Sequence, residues 1–184
     1  MVATGHVGLV YGVAFALAGH EVVGTDIDKK AIASLRAGRP TFYEPGLEEA
    51  LTEAIATGRL MFSSDIAGNV AESEAVFLCV GTPSRVDGSI DLSYLQSAAD
   101  TVGRGMRSAS GYQVITIKST VIPGTTEDMV RPALEAASGK VAGRDFGLCM
   151  NPEFLLEGSA VQDALHPDRL VIGGLDKRSI RSLE

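Results

Sequence analysis

The apolar positions of the first forty residues change period as the chain proceeds. Val7, Val10, Tyr11, Ala14, Leu17 and Ala18 recur at intervals of three and four, the mark of one helical face. Gly19 stops that helix, as a residue without Cβ does at a helix end. Glu21 to Thr25 is a short run with two valines and a threonine that ends in Asp26, a strand by composition. A second helix carries Ile32 and Leu35 inward, with Gly38 and Pro40 as its terminators.

The alternation continues. Leu47, Ala50, Leu51, Ala54 and Ile55 form the stripe of a third helix, closed by Gly58, and Leu60 to Phe62 is a brief strand. Ala75 to Val80 is a continuous apolar run, as expected of a parallel strand covered on both faces. Leu92, Leu95, Ala99, Val102 and Met106 predict a helix, Gln113 to Ile117 a strand, and Met129, Val130, Ala133, Leu134 and Ala137 a helix. Phe146 to Met150 and Leu170 to Ile172 are the last expected strands. Strand–helix alternation of this regularity predicts an α/β, Rossmann-like, doubly wound and mostly parallel sheet. Its first strand is expected to be truncated, because at most Met1 to Thr4 stand before the first helix. No repeat or linker divides the chain, so residues 1–184 read as one domain.

Composition narrows the class. Hydrophobic residues make up 45% of the 184 and charged residues 21%, a globular rather than a disordered balance. The formal charge of −7 argues against a nucleic-acid partner, which needs clustered Lys and Arg. Cys79 and Cys149 lie far apart in apolar runs and read as buried thiols of a reducing compartment, hence the cytoplasm. His6, His20 and His166 lack metal-ligand spacing, and no metal is expected. The apolar stretch from Val7 to Gly19 is shorter than the roughly 20 residues of a membrane span. A signal peptide is the rival reading, but no basic segment precedes the stretch and the βαβ pattern runs on after it.

The loop Ala3-Thr4-Gly5-His6-Val7-Gly8 carries the first candidate chemistry. A glycine loop between strand and helix lets backbone N–H groups point at a phosphate, aided by the helix dipole. Gly5 would allow close backbone approach and Gly8 tight helix–strand packing, while Ala3 stands where the tight-turn glycine belongs. Asp26, 21 positions after Gly5, could accept hydrogen bonds from a ribose diol and repel a 2′-phosphate, favouring NAD over NADP. It could also be only a cap of the next helix. Gly81-Thr82-Pro83-Ser84 and the segment Lys118 to Thr126 follow strands, where ligands bind in open sheets. Either could instead be a helix N-cap, with Thr125 or Thr126 as the capping residue of the second. In Asn151 to Gly158 the carboxylates Glu153 and Glu157 stand four apart in an apolar stretch, and one could serve as a general base. Both could equally be solvated or cap a helix.

Taken together, GHVGL (5–9), GHEVVGTDID (19–28), YEPGLEEAL (43–51), TGRLMFSSD (57–65), CVGTPS (79–84) and DGSIDLSYL (87–95) resemble one family. KSTVIPGTT (118–126), NPEFLLEGSAV (151–161) and HPDRLVIGG (166–174) complete the pattern, which spans practically the whole chain. It is that of the N-terminal NAD-binding domain of the nucleotide-sugar 6-dehydrogenases, the UDP-glucose/GDP-mannose dehydrogenase family. The resemblance implies NAD-dependent oxidation of a sugar C6 hydroxyl to an acid by two hydride transfers. It implies that Gly5, His6 and Val7 line the pyrophosphate, Asp26 holds the adenosine ribose, and Thr82 contacts the cofactor. Thr120 would meet the cofactor and position a catalytic water, with Glu153 as acid–base group and Glu157 near the nicotinamide. Glu153, Phe154, Leu155, Leu156 and Glu157 would form part of the sugar-nucleotide contact. Leu156 stands where bacterial relatives often carry Arg or Lys. HPDRLVIGG is closer to the UDP-glucose branch, so UDP-glucose is the favoured substrate. The family's dimerising central helix, C-terminal domain and thioester-forming cysteine have no counterpart in these motifs. The chain alone is therefore expected to bind NAD without completing the reaction.

Overall fold

The computed structural model describes residues 1–184. Five strands run parallel and one antiparallel segment closes the edge. In chain order they are β1 (Val22–Thr25), β2 (Leu60–Ser63), β3 (Ala75–Leu78), β4 (Gln113–Ile117), β5 (Phe146–Met150) and β6 (Gly173–Gly174). β1 pairs with β2, and β3 with β4 and β4 with β5, all in parallel register. Val2 joins the two groups through parallel bridges to Thr25 and Leu78. The spatial order is therefore β2, β1, residues 1–3, β3, β4, β5, β6, the order of a dinucleotide-binding sheet.

The expected short first strand is present as three residues, paired on both sides. Met1 donates to Val23 and accepts from Thr25, both at 2.8 Å. Val2 donates to Phe77 at 2.8 Å and accepts from Cys79 at 2.9 Å, while Ala3 donates to Thr25 at 2.9 Å. Five of the six backbone groups of residues 1–3, all but the Ala3 carbonyl, are bonded to the neighbouring strands, which compensates for the segment's length.

The helices are α1 (His6–Leu17), α2 (Lys29–Arg36), α3 (Leu47–Ala56), α4 (Ile66–Glu72), α5 (Ser93–Met106), α6 (Arg131–Ser138), α7 (Ala160–Leu165) and α8 (Lys177–Arg181). A π-turn over Thr126–Val130 leads into α6. Two apolar clusters result. One gathers Val70, Leu95, Val102, Met106 and Leu134 from α4–α6 with Leu78, Ile115 and Phe146 of the sheet. The other gathers Leu9, Val13, Ile32, Leu35, Leu47 and Leu51 from α1–α3, Val161 of α7 and Phe62 of β2. Each such side chain, fully buried, contributes about 1.5–3 kcal/mol. No helix is long and apolar enough to cross a membrane.

Three expectations change. α1 is buried on nearly every side, Leu9, Val13 and Ala16 included, because it sits against α3, α7 and β1; Ala18, expected inward, is exposed. α4 has no apolar stripe long enough to announce itself and starts on Asp65, whose side chain accepts from Gly68 N–H at 3.0 Å. The last strand is not Leu170 to Ile172. Pairing occurs at Gly173–Gly174, antiparallel to Cys149 and Met150, and Leu170 and Val171 are exposed. Gly174 lies so close to Ile180 and Cys149 that a Cβ there would stand 2.8 Å from Ile180 Cγ1. Close approach of a bare backbone, not β-branched content, decides where this strand forms.

Candidate cofactor and substrate site

The carboxyl ends of residues 1–3, β1, β3, β4 and β5 carry the loops singled out in the sequence. Ala3 has φ 73°, the one non-glycine residue in left-handed conformation, so the turn that usually takes glycine is made here by alanine. Gly5 then starts α1 without any side-chain cap. The first bond at the helix start runs from Leu9 N–H to Gly5 carbonyl at 2.9 Å, leaving the N–H groups of His6, Val7 and Gly8 without a protein acceptor. A Cβ on Gly5 would meet nothing within 4 Å, whereas one on Gly8 would collide with the Ala3 carbonyl. Free N–H groups, open space above them and the dipole of a twelve-residue helix fit an anionic pyrophosphate.

Asp26 closes one side of this loop. Its Oδ2 accepts from Thr4 N–H at 2.8 Å and from the Thr4 hydroxyl at 3.0 Å, and its Oδ1 from Asp28 N–H at 3.0 Å. It is not the cap of α2. That role belongs to Asp28, whose Oδ1 accepts from Lys30 and Ala31. Asp26 stays half-buried at the strand end, with one acceptor site, on Oδ1, left for a ribose hydroxyl.

The next two loops are tied to each other. The Thr82 hydroxyl donates to the Thr120 carbonyl at 2.7 Å, and the Ser119 hydroxyl to the Val80 carbonyl at 2.6 Å. Neither loop caps a helix through its side chains. α5 begins nine residues after Ser84, at Ser93, and Thr125 precedes the π-turn with no side-chain bond. Thr120 is exposed at this edge.

In the 151–158 segment Glu153 is half-buried and turns back on its own loop, accepting from Leu155 N–H at 2.6 Å. Glu157 is exposed, so the paired-buried reading fails for it. Phe154 and Leu156 are exposed as well. Arg169 of the HPDRLVIGG stretch stands 4.7 Å over the Phe154 ring, a cation–π contact. Leu155 packs beside the α1–α3 cluster.

Two residues that sequence reasoning did not single out individually hold these parts together. Glu44, of the YEPGL stretch, is buried and accepts from Gly158 N–H at 3.1 Å, Ala160 N–H at 3.0 Å and His6 Nε2 at 3.1 Å. Burial pushes its carboxyl up, but the bonds from Gly158, His6 and Ala160 outweigh that and hold it below the usual carboxylate range. One buried carboxylate thus ties the glycine loop to the 151–158 segment. Its signal was a lone acid between aromatic residues and Pro45, ahead of a helix. Lys118, the second, follows five buried strand residues and is itself fully buried. Its Nζ lies 2.9 Å from Asn151 Oδ1 and 3.6 Å from the centroid of the Tyr11 ring.

The comparisons with known proteins agree with this geometry. The model of the UDP-glucose/GDP-mannose dehydrogenase family, NAD binding domain, matches residues 1–184. GDP-mannose 6-dehydrogenase of Azotobacter vinelandii is 42% identical over 179 residues, 97% of this chain and 41% of its own length. The solved UDP-glucose dehydrogenase of Pyrobaculum islandicum is 48% identical with a TM-score of 0.95, covering 99% of this chain and 41% of that one. A GDP-mannose dehydrogenase of Pseudomonas aeruginosa, solved as a ternary complex, is 40% identical with a TM-score of 0.97, covering 100% and 42%. The chain thus spans about two fifths of the relatives it matches. With its glycine loop, uncapped α1 and Asp26 at the first crossover, the chain belongs to the UDP-glucose/GDP-mannose dehydrogenase family, as an NAD-binding domain of Rossmann fold.

Proposed function

We propose that this chain is the cofactor-binding part of a nucleotide-sugar 6-dehydrogenase. One observation carries the reading: Glu44 ties the glycine loop to the 151–158 segment, so a dinucleotide site and a second ligand site share one edge. NAD, when bound, accepts hydride. The chain's own residues do the rest. The N–H groups at Gly5, His6 and Val7 and on to Gly8 receive the pyrophosphate, and Asp26 takes a ribose hydroxyl. Thr82 contacts the cofactor and braces Thr120, which positions a water. Glu153 moves protons, Glu157 lies beside the nicotinamide, and Phe154 to Glu157 with Leu155 and Leu156 meet the sugar nucleotide.

The chemistry balances as two oxidations. The C6 alcohol loses a hydride and a proton to give an aldehyde; the aldehyde with water loses a second hydride and a proton to give the acid. A thioester on the way needs an accessible thiolate. Burial pushes Cys79 up to about 11 and also raises Cys149, so neither serves. That thiol, and the helix through which longer relatives dimerise, belong to the proposed remainder of the enzyme.

UDP-glucose, oxidised to UDP-glucuronate, is the favoured substrate, on the HPDRLVIGG stretch. GDP-mannose is the second reading, favoured by the 42% identity to the Azotobacter enzyme named for it. Following NADH formation by the complete enzyme with each sugar nucleotide tests both. Faster turnover of UDP-glucose is expected, preference for GDP-mannose selects the second reading, and no NADH with either overturns the proposal.

A further inference from the structure

No step of the proposed reaction uses the amine of Lys118. It stands just beyond β4 with no exposure and no carboxylate within ion-pair distance. Chains rarely bury an unpaired cation, because desolvation is costly. Its contacts are specific. Nζ donates to Asn151 Oδ1 at 2.9 Å and faces the Asn151 carbonyl at 3.5 Å, with the Tyr11 ring of α1 beneath it. Asn151 passes the constraint on: its Nδ2 donates to the Val171 carbonyl at 2.8 Å, and its N–H to the Ile117 carbonyl at 2.9 Å. The amine at the end of β4 therefore joins α1 to the start of the 151–158 segment, and Asn151 extends the link to the HPDRLVIGG stretch.

We propose that Lys118 is a positioning residue, whose ε-amine seats Asn151 against Tyr11 and so registers the 151–158 segment on the helix that carries the glycine loop. That the segment meets a sugar nucleotide rests on the proposed function; that Lys118 seats it rests on the contacts alone.

Charge gives the arrangement a signature. The titratable groups facing the amine are Tyr11 from α1, Cys79 beyond β3 and Glu153 from the segment itself. Burial pushes Lys118 down to about 8, against the pull of Cys79 and Glu153. Tyr11, at about 12, and Cys79, at about 11, keep their protons through that range. When the segment lifts, the amine meets water and returns toward the ordinary 10.5. The open form then binds more protons than the seated one, so seating strengthens as pH rises from about 8 toward 10.5.

Hydrogen exchange of this chain reads the effect directly. The amides of Gly158 and Ala160 bond across the fold, to Glu44, whereas those of Leu155 and Leu156 bond locally, to Glu153 and Asp163, so Gly158 and Ala160 report seating. Their protection, normalised to intrinsic exchange, should rise about tenfold between pH 7.5 and 9.5. Lys118→Met should flatten the pH dependence and leave protection about tenfold below wild type at pH 9.5, with the amides of β4 unchanged. A flat wild-type profile overturns the proposal, as does unchanged protection in the variant or an equal loss in β4. If Lys118→Met does not fold, the wild-type profile decides alone. Adding UDP-glucose or GDP-mannose separates the two readings. In the complete enzyme, absence of further protection with either nucleotide would remove the substrate assignment while the pH profile of this chain still reports on Lys118.

Discussion

Asp26 and Thr4 are bonded twice, through the Thr4 N–H at 2.8 Å and its hydroxyl at 3.0 Å, both to Oδ2. A carboxylate at the end of β1 thereby fixes the residue that precedes the first glycine of the phosphate loop. Asp26→Asn should weaken NAD binding about tenfold or more, because a charged acceptor is lost on both the Thr4 and the ribose side. Wild-type protein should bind NADP more weakly than NAD, since a 2′-phosphate would face the carboxylate. Calorimetric titration measures both, and equal affinities would leave Asp26 a loop clamp without a ribose role.

Ala3 holds φ 73°, a conformation that costs an L-residue with a Cβ about 1–2 kcal/mol. Ala3→Gly removes that cost and adds unfolded-state entropy of about 0.4–1 kcal/mol. The net expectation is stabilisation of about 0.5 kcal/mol by urea melt, with NAD affinity kept. Gly8→Ala should do the reverse, because its new Cβ strikes the Ala3 carbonyl. Loss of NAD binding without loss of secondary structure is the expected outcome.

Glu44 gives the site an acid limit. Its folded carboxyl lies below the ordinary carboxylate range, so its contribution is complete above the unfolded value. It is lost as pH falls through the lower, folded one. Glu44→Ala leaves the N–H groups of Gly158 and Ala160 unpaired at a buried site and should cost about 2–3 kcal/mol at pH 7. The variant's stability should also change less than wild type between pH 5 and 3. Equal acid sensitivity of the two proteins would remove Glu44 from this role.

The thiols offer a simple check. Cys79 and Cys149 are both buried, and both are pushed above the ordinary thiol range by burial. Neither should react with a disulfide reagent at pH 8 in the folded chain, and both should react in denaturant. Rapid labelling of the folded protein would contradict the packing around β3 and β5.

Much of this architecture was legible in the chain. The run Gln113 to Ile117 is buried throughout and reads as a strand because nothing polar but Gln113 and Thr116 interrupts it. The end of α1 was announced by Gly19, which takes φ 105°. The glycine loop, Asp26 and the loops beyond β3 and β4 were legible from spacing. What escaped depends on contacts distant in sequence. Glu44 lies 114 residues from Gly158, and Lys118 lies 33 from Asn151; no local period encodes either. The edge strand was misplaced for the same reason, since Gly173 and Gly174 pair through proximity to α8 and not through propensity.

Titrating NAD into the folded chain, with hydrogen exchange read residue by residue, tests the central claim most directly. The account predicts saturable binding and new protection at residues 4–9 and 24–26, where free N–H groups and Asp26 meet the cofactor. No binding at millimolar NAD, or protection confined to the far edge around Tyr112 and Arg178, would contradict it.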